Sequence, residues 1–94
     1  MAVTRGNNVI ILKANGDTVS QTEALFIQKI TFRETANSTA DVEIQVNNGW
    51  QSLIDLPTMT AHQFIQVDFP EGVQVNGLKE VLASGAVEVR VYIY

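Results

Sequence analysis

Ser84-Gly85-Ala86-Val87-Glu88-Val89-Arg90-Val91-Tyr92-Ile93-Tyr94 is the stretch whose reading decides the fold. Past the Ser-Gly turn signal, Val87, Val89, Val91 and Ile93 fall on one face of an extended chain. Glu88, Arg90, Tyr92 and Tyr94 fall on the other. This alternation predicts a half-buried strand. Burying four such aliphatic side chains is worth roughly 6 to 12 kcal/mol, at about 1.5 to 3 each before the entropy cost. Tyr94 is therefore expected to be held in the fold, although chain ends usually fray.

The same alternation recurs upstream. Val42, Ile44 and Val46 point inward, with Asp41, Glu43 and Gln45 outward. Asn47-Asn48-Gly49 then supplies a tight turn, which predicts antiparallel pairing with Trp50 to Ile54. Asp55 to Thr60 breaks the pattern. Pro57 cannot donate to a central ladder, so a loop is expected there. Gln63 to Phe69 restores the alternation, with Ile65, Val67 and Phe69 on one face and Phe64, Gln66 and Asp68 on the other. Pro70-Glu71-Gly72 reads as a turn and Asn76-Gly77 as a bulge. Leu78 to Ala83 leads to an expected hairpin at Ser84-Gly85.

Ser20-Gln21-Thr22-Glu23 has the spacing of a helix capping box. Leu25 to Arg33 is rich in β-branched and aromatic residues, and that composition favours a strand. In it Phe26, Ile30 and Phe32 share a face with Gln28, while Lys29, Thr31 and Arg33 share the other with Ile27. Val9 to Leu12 reads as a further short strand, and residues 1–8 as an N-terminal arm ahead of a domain over 9–94. Six or seven strands at this spacing predict an all-β fold, a single antiparallel β-sandwich of jelly-roll type.

A chain of 94 residues is one domain with a modest core. Six basic against ten acidic residues give a net charge of -4, which disfavours nucleic acid and anionic membranes as partners. With no cysteine there is neither a disulfide framework nor a thiolate metal site. The apolar run Val9 to Leu12 is too short for a signal peptide or a membrane span. A soluble product made in the cytoplasm is expected.

Candidate chemistry is sparse. His62 is the single histidine, and a general base needs an orienting partner. Asp68 would qualify if the two met across strands, which is the weakest of three readings. Ser20, Ser38, Ser52 and Ser84 lack a nucleophile elbow. The carboxylates lack the spacing of a calcium loop. No catalytic residue, cofactor or metal site is expected, and the protein is read as not an enzyme. Arg90, Tyr92 and Tyr94 share the outward face of the last strand, and an Arg among aromatic side chains has the composition of an interface centre or of a carbohydrate platform. Trp50 and Phe64 are lesser interface candidates, with core packing as the competing explanation.

From Leu25 to Tyr94 the order of features resembles the small virion-associated β-sandwich proteins of tailed bacteriophages. The similar parts are Leu25-Phe26-Ile27-Gln28-Lys29-Ile30, Ala40-Asp41-Val42-Glu43-Ile44, Phe69-Pro70-Glu71-Gly72-Val73, Gly77-Leu78 and the terminal Val91-Tyr92-Ile93-Tyr94. The resemblance implies a virion location and a capsid decoration or cement protein that binds and stabilises the phage head, or a small tail or neck component. Its partners would be the major capsid protein or other virion proteins. It also implies a homo-oligomer, and a trimer would suit the threefold positions of an icosahedral shell. The alternative is a carbohydrate- or receptor-binding module of a phage tail or fibre, motivated by Trp50, Tyr92 and Tyr94.

Overall fold

The computed structural model describes residues 3–94. Seven strands occupy it: β1 (Val3–Gly6), β2 (Val9–Leu12), β3 (Thr18–Glu34), β4 (Ala40–Val46), β5 (Gln51–Met59), β6 (Phe64–Ser84) and β7 (Val87–Ile93). They form one antiparallel sheet in the order β1-β2-β7-β3-β6-β4-β5, and the described residues contain no helix. The fold is all-β, as the alternation predicts. The capping-box spacing at Ser20 to Glu23 lies inside a strand and starts no helix.

One sheet encloses a core because its two central strands are long. β3 has 17 residues and β6 has 21, and each serves both ends of the sheet. Residues 29–33 of β3 lie between β7 and residues 64–68 of β6. The later part of β6 pairs with β4, which pairs with β5. Ile10, Leu12, Val87, Val89 and Val91 from one end and Val42, Ile44 and Val46 from the other belong to one buried cluster. No helix covers either end, so the sheet folds over on itself into two layers.

Irregularities set the phase of the two long strands. Ile93 and Tyr92 are consecutive on β7 but oppose Ile27 and Lys29, so Gln28 is an extra, bulged residue. Before it Leu25 and Ile27 are buried; after it Ile30 and Phe32 are. The expected single face of Phe26, Ile30 and Phe32 is thereby corrected. Phe26 points out and is 45% exposed. The pairing is irregular at Asn76-Gly77, but the bulge expected there lies on the partner strand: Leu78 pairs with Val19 and Asn76 with Ala24, so residues 20–23 of β3 are the extra ones and stand against Gly77 alone. At Gly77, φ is +75° and a Cβ would come within 2.8 Å of the Val19 carbonyl oxygen. Glycine is required there.

Four other expectations change. Val3–Gly6 of the expected arm is an edge strand, turned back by Asn7-Asn8 with Asn8 at φ 60°; the arm's first two residues lie outside the described ones. Residues 55–59 continue β5, because β5 is the outer strand and Pro57 needs no partner on its open side. Pro70-Glu71-Gly72 interrupts the pairing of β6 without ending it. Ser84-Gly85 makes no hairpin: β6 lies beside β3 and β4, while β7 lies beside β2 and β3, so the chain crosses between layers here.

Candidate functional site

The outward positions of β7, β3 and β6 line up in three rows. Glu88, Arg33 and Phe64 form the first, Arg90, Thr31 and Gln66 the second, and Tyr92, Lys29 and Asp68 the third. β2 extends the last two rows with Ile11 beside Arg90 and Val9 beside Tyr92. Thr31 is the smallest side chain of the grid and stands at its centre. It is buried although it faces outward, because its long neighbours overtop it. The result is a cleft of about 270 Å3 lined by Thr31, Arg33, Phe64, Glu88, Arg90 and Tyr92.

Each wall is held by charge or ring contacts. The Arg33 guanidinium lies over the Phe64 ring, 5.2 Å from its centroid, and the Lys29 ammonium lies 4.8 Å from that of Tyr92. Such contacts are worth about 0.5 to 1 kcal/mol at exposed sites. Arg90 donates to the Glu88 carboxylate at 3.4 Å. The Tyr92 phenol first, and then the charge of Glu88, holds Arg90 above its ordinary value, so its charge is constant across the accessible range.

Of the expected interface residues, Arg90, Tyr92 and Phe64 meet in this cleft. Tyr94 faces outward two positions beyond Tyr92 and does not line it. Its ring packs on Phe26 with centroids 5.1 Å apart, its hydroxyl donates to the Pro70 carbonyl at 3.5 Å, and its amide donates to the Phe26 carbonyl at 3.0 Å. The last residue is thus tied into the fold. Trp50 lies in the turn after β4 at φ 48°, beneath the Lys79 ammonium, and also stands apart from the cleft. Thr31, Arg33 and Glu88 were missing from the expected site. Their outward parity is readable in the sequence, but their register against Arg90 and Phe64 is not.

His62 and Asp68 do not meet. His62 sits in the turn before β6, and its amide donates to Glu34 Oε1 at 2.9 Å. Asp68 accepts from Gln66 and stands opposite Lys29. The extended run between Phe64 and Asp68 alone spans roughly 13 Å. Among the described residues no three His, Cys, Asp or Glu side chains gather as a metal site would need.

Two buried acidic groups lie elsewhere. Glu34 accepts the His62 and Ala36 amides and fastens the turns around it. Asp17 and Glu80 are buried with three oxygens lacking a partner.

No family model matches the chain, and no curated protein matches it. Among solved structures, the crystal structure of PirA aligns with 93% of this chain and 85% of its own at 8% identity and a TM-score of 0.53. The capsular polysaccharide assembling protein CapF from Staphylococcus aureus aligns with 88% of this chain and 23% of its own at 12% identity and a TM-score of 0.36. What the chain shares with PirA is the fold.

Proposed function

We propose that this chain is a non-enzymatic binding module that recognises a carbohydrate or receptor through the outer face of β7, β3 and β6. The observation that carries the reading is the cleft over Thr31, where two aromatic rings flank two guanidiniums and a carboxylate. Rings give apolar faces for stacking, and the polar groups give orientation by hydrogen bonds. No nucleophile is paired with a base there. The resemblance to phage structural proteins supports a place on a tail or fibre.

Glycan array binding tests it. Wild type binds a defined subset of glycans; Tyr92→Ala, which removes one wall, and Thr31→Trp, which fills the cleft, each lose that binding while melting as cooperatively as wild type. An array on which wild type binds nothing sinks the reading.

A second reading is a capsid decoration or cement protein acting as a homo-oligomer. Phe26, Phe64 and Tyr94, the large exposed apolar side chains among the described residues, favour it because all three lie on this same outward face. Light scattering after size-exclusion chromatography and co-sedimentation with capsids check it. A monomer that stays in the supernatant removes it.

A further inference from the structure

The charge of the cleft runs against that of the protein. The chain carries -4 overall, yet three of its six basic residues, Lys29, Arg33 and Arg90, stand on this one face. Among the described residues, ion pairs form between Arg5 and Glu23 and between Arg90 and Glu88. Among the described residues no carboxylate forms such a pair with Arg33, although Glu88 stands opposite it in the register. The Arg33 guanidinium is held over Phe64 and lines the cleft, so two guanidiniums and a single carboxylate, Glu88, border the space over Thr31 and leave it a net positive charge. Asp68, the other carboxylate of the grid, is engaged by Gln66 at 2.9 Å.

We infer that the cleft binds the carboxylate of an acidic sugar residue, a uronic or sialic acid, between Arg33 and Arg90 with the Thr31 hydroxyl beneath. The inference rests on the carbohydrate reading above. A guanidinium presents a planar fork that matches a carboxylate with two parallel hydrogen bonds, which a neutral hydroxyl cannot do. Phe64 and Tyr92 then take the ring faces. A volume of about 270 Å3 lies just under the usual range of about 300 to 1,000 Å3 for ligand pockets, so the cleft suits one ring of a chain rather than a whole oligosaccharide. Low-dielectric walls focus the positive potential at this point, which speeds the approach of an anion and makes binding salt-dependent.

Titration calorimetry with a panel of galacturonate and glucuronate oligomers and sialyllactose, each beside its methyl ester and its neutral counterpart, tests this. The acids bind roughly tenfold or more tighter than the esters, as expected for a charge-assisted pair. Arg33→Gln removes that preference and Arg33→Lys keeps part of it; because Arg33 is exposed, both variants retain the wild-type melting profile. Equal binding of acids and esters overturns this inference and leaves the carbohydrate reading intact. Failure of every sugar overturns both. Binding of poly-L-glutamate in preference to every acidic sugar overturns it in favour of an acidic protein partner.

Discussion

The Glu80 amide donates to the Asp17 carbonyl at 3.0 Å, and both side-chain carboxyls are shut away from solvent beside that bond. Asp17 Oδ2 accepts from the Lys13 and Ala14 amides, which rationalises its place at the turn into β3. Neither oxygen of Glu80 has such a partner. Desolvation first, and then the nearby Asp17, pushes Glu80 up to about 9, so it is a neutral acid in the folded protein at pH 7.

Stability therefore falls as pH rises from about 4.5, the value in the unfolded chain, to about 9. In that window the unfolded chain releases a proton that the folded chain keeps. The limiting slope is about 1.4 kcal/mol per pH unit, or on the order of 3 kcal/mol between pH 5 and pH 7. Urea unfolding at pH 5, 7 and 9 should show this loss in wild type. Glu80→Gln, neutral at every pH, should flatten the profile and be the more stable protein at pH 9. Parallel profiles for the two proteins would refute the neutral acid.

Glu34 behaves in the opposite sense. The His62 amide above all, joined by the Ala36 amide and opposed by desolvation, holds its carboxyl below the usual range. Its contribution is present at neutral pH and is lost as pH falls through that lowered value. Glu34→Gln should lower the melting temperature at pH 7, with a smaller difference from wild type in strong acid. Amide exchange at Ala36 and His62 should quicken in the variant; unchanged protection there would refute the role.

Gly77→Ala should cost roughly 1 to 3 kcal/mol, because the new methyl meets backbone at 2.8 Å in a left-handed conformation. Chemical denaturation measures it. A variant as stable as wild type would mean that residues 20–23 can shift away from β6.

Deleting Gln28 should leave a folded protein. Without the extra residue Ile27 and Ile30 stand two positions apart, so Leu25, Ile27, Ile30 and Phe32 keep the inner face by plain alternation and the pairing with β7 becomes regular. Loss of cooperative unfolding on deletion would mean that the bulge itself, and not only the facing of these side chains, holds β3 in place. Gln28→Ala keeps the residue count and should fold, as circular dichroism would show.

The sheet builds its outer grid from three strands far apart in sequence, so the cleft can exist only in the folded chain. The strands themselves were legible because Val87, Val89 and Val91, like Val42, Ile44 and Val46, alternate with polar residues at the period of a pleated chain. Arg90, Tyr92 and Phe64 were legible as outward residues on the same ground. Phe26 was misplaced because an extra residue such as Gln28 leaves no mark in composition. The burial of Glu80 is not legible, because a charged residue in an alternating run reads as solvent-facing until the neighbouring strands are known.

The sequence by itself determined an all-β chain, the inner faces of β4 and β7, the turn at Asn47 to Gly49 and a break in regular pairing at Gly77. Those are local properties, carried by a period of two and by backbone angles that few residues tolerate. The tertiary structure alone decided the strand order, the crossover at Ser84-Gly85, the phase change at Gln28, the buried Asp17 and Glu80, and the meeting of Arg33, Phe64, Arg90 and Tyr92 over Thr31. Each of these depends on which strands become neighbours and in what register, and pairing between distant segments is set by the closing of the whole core.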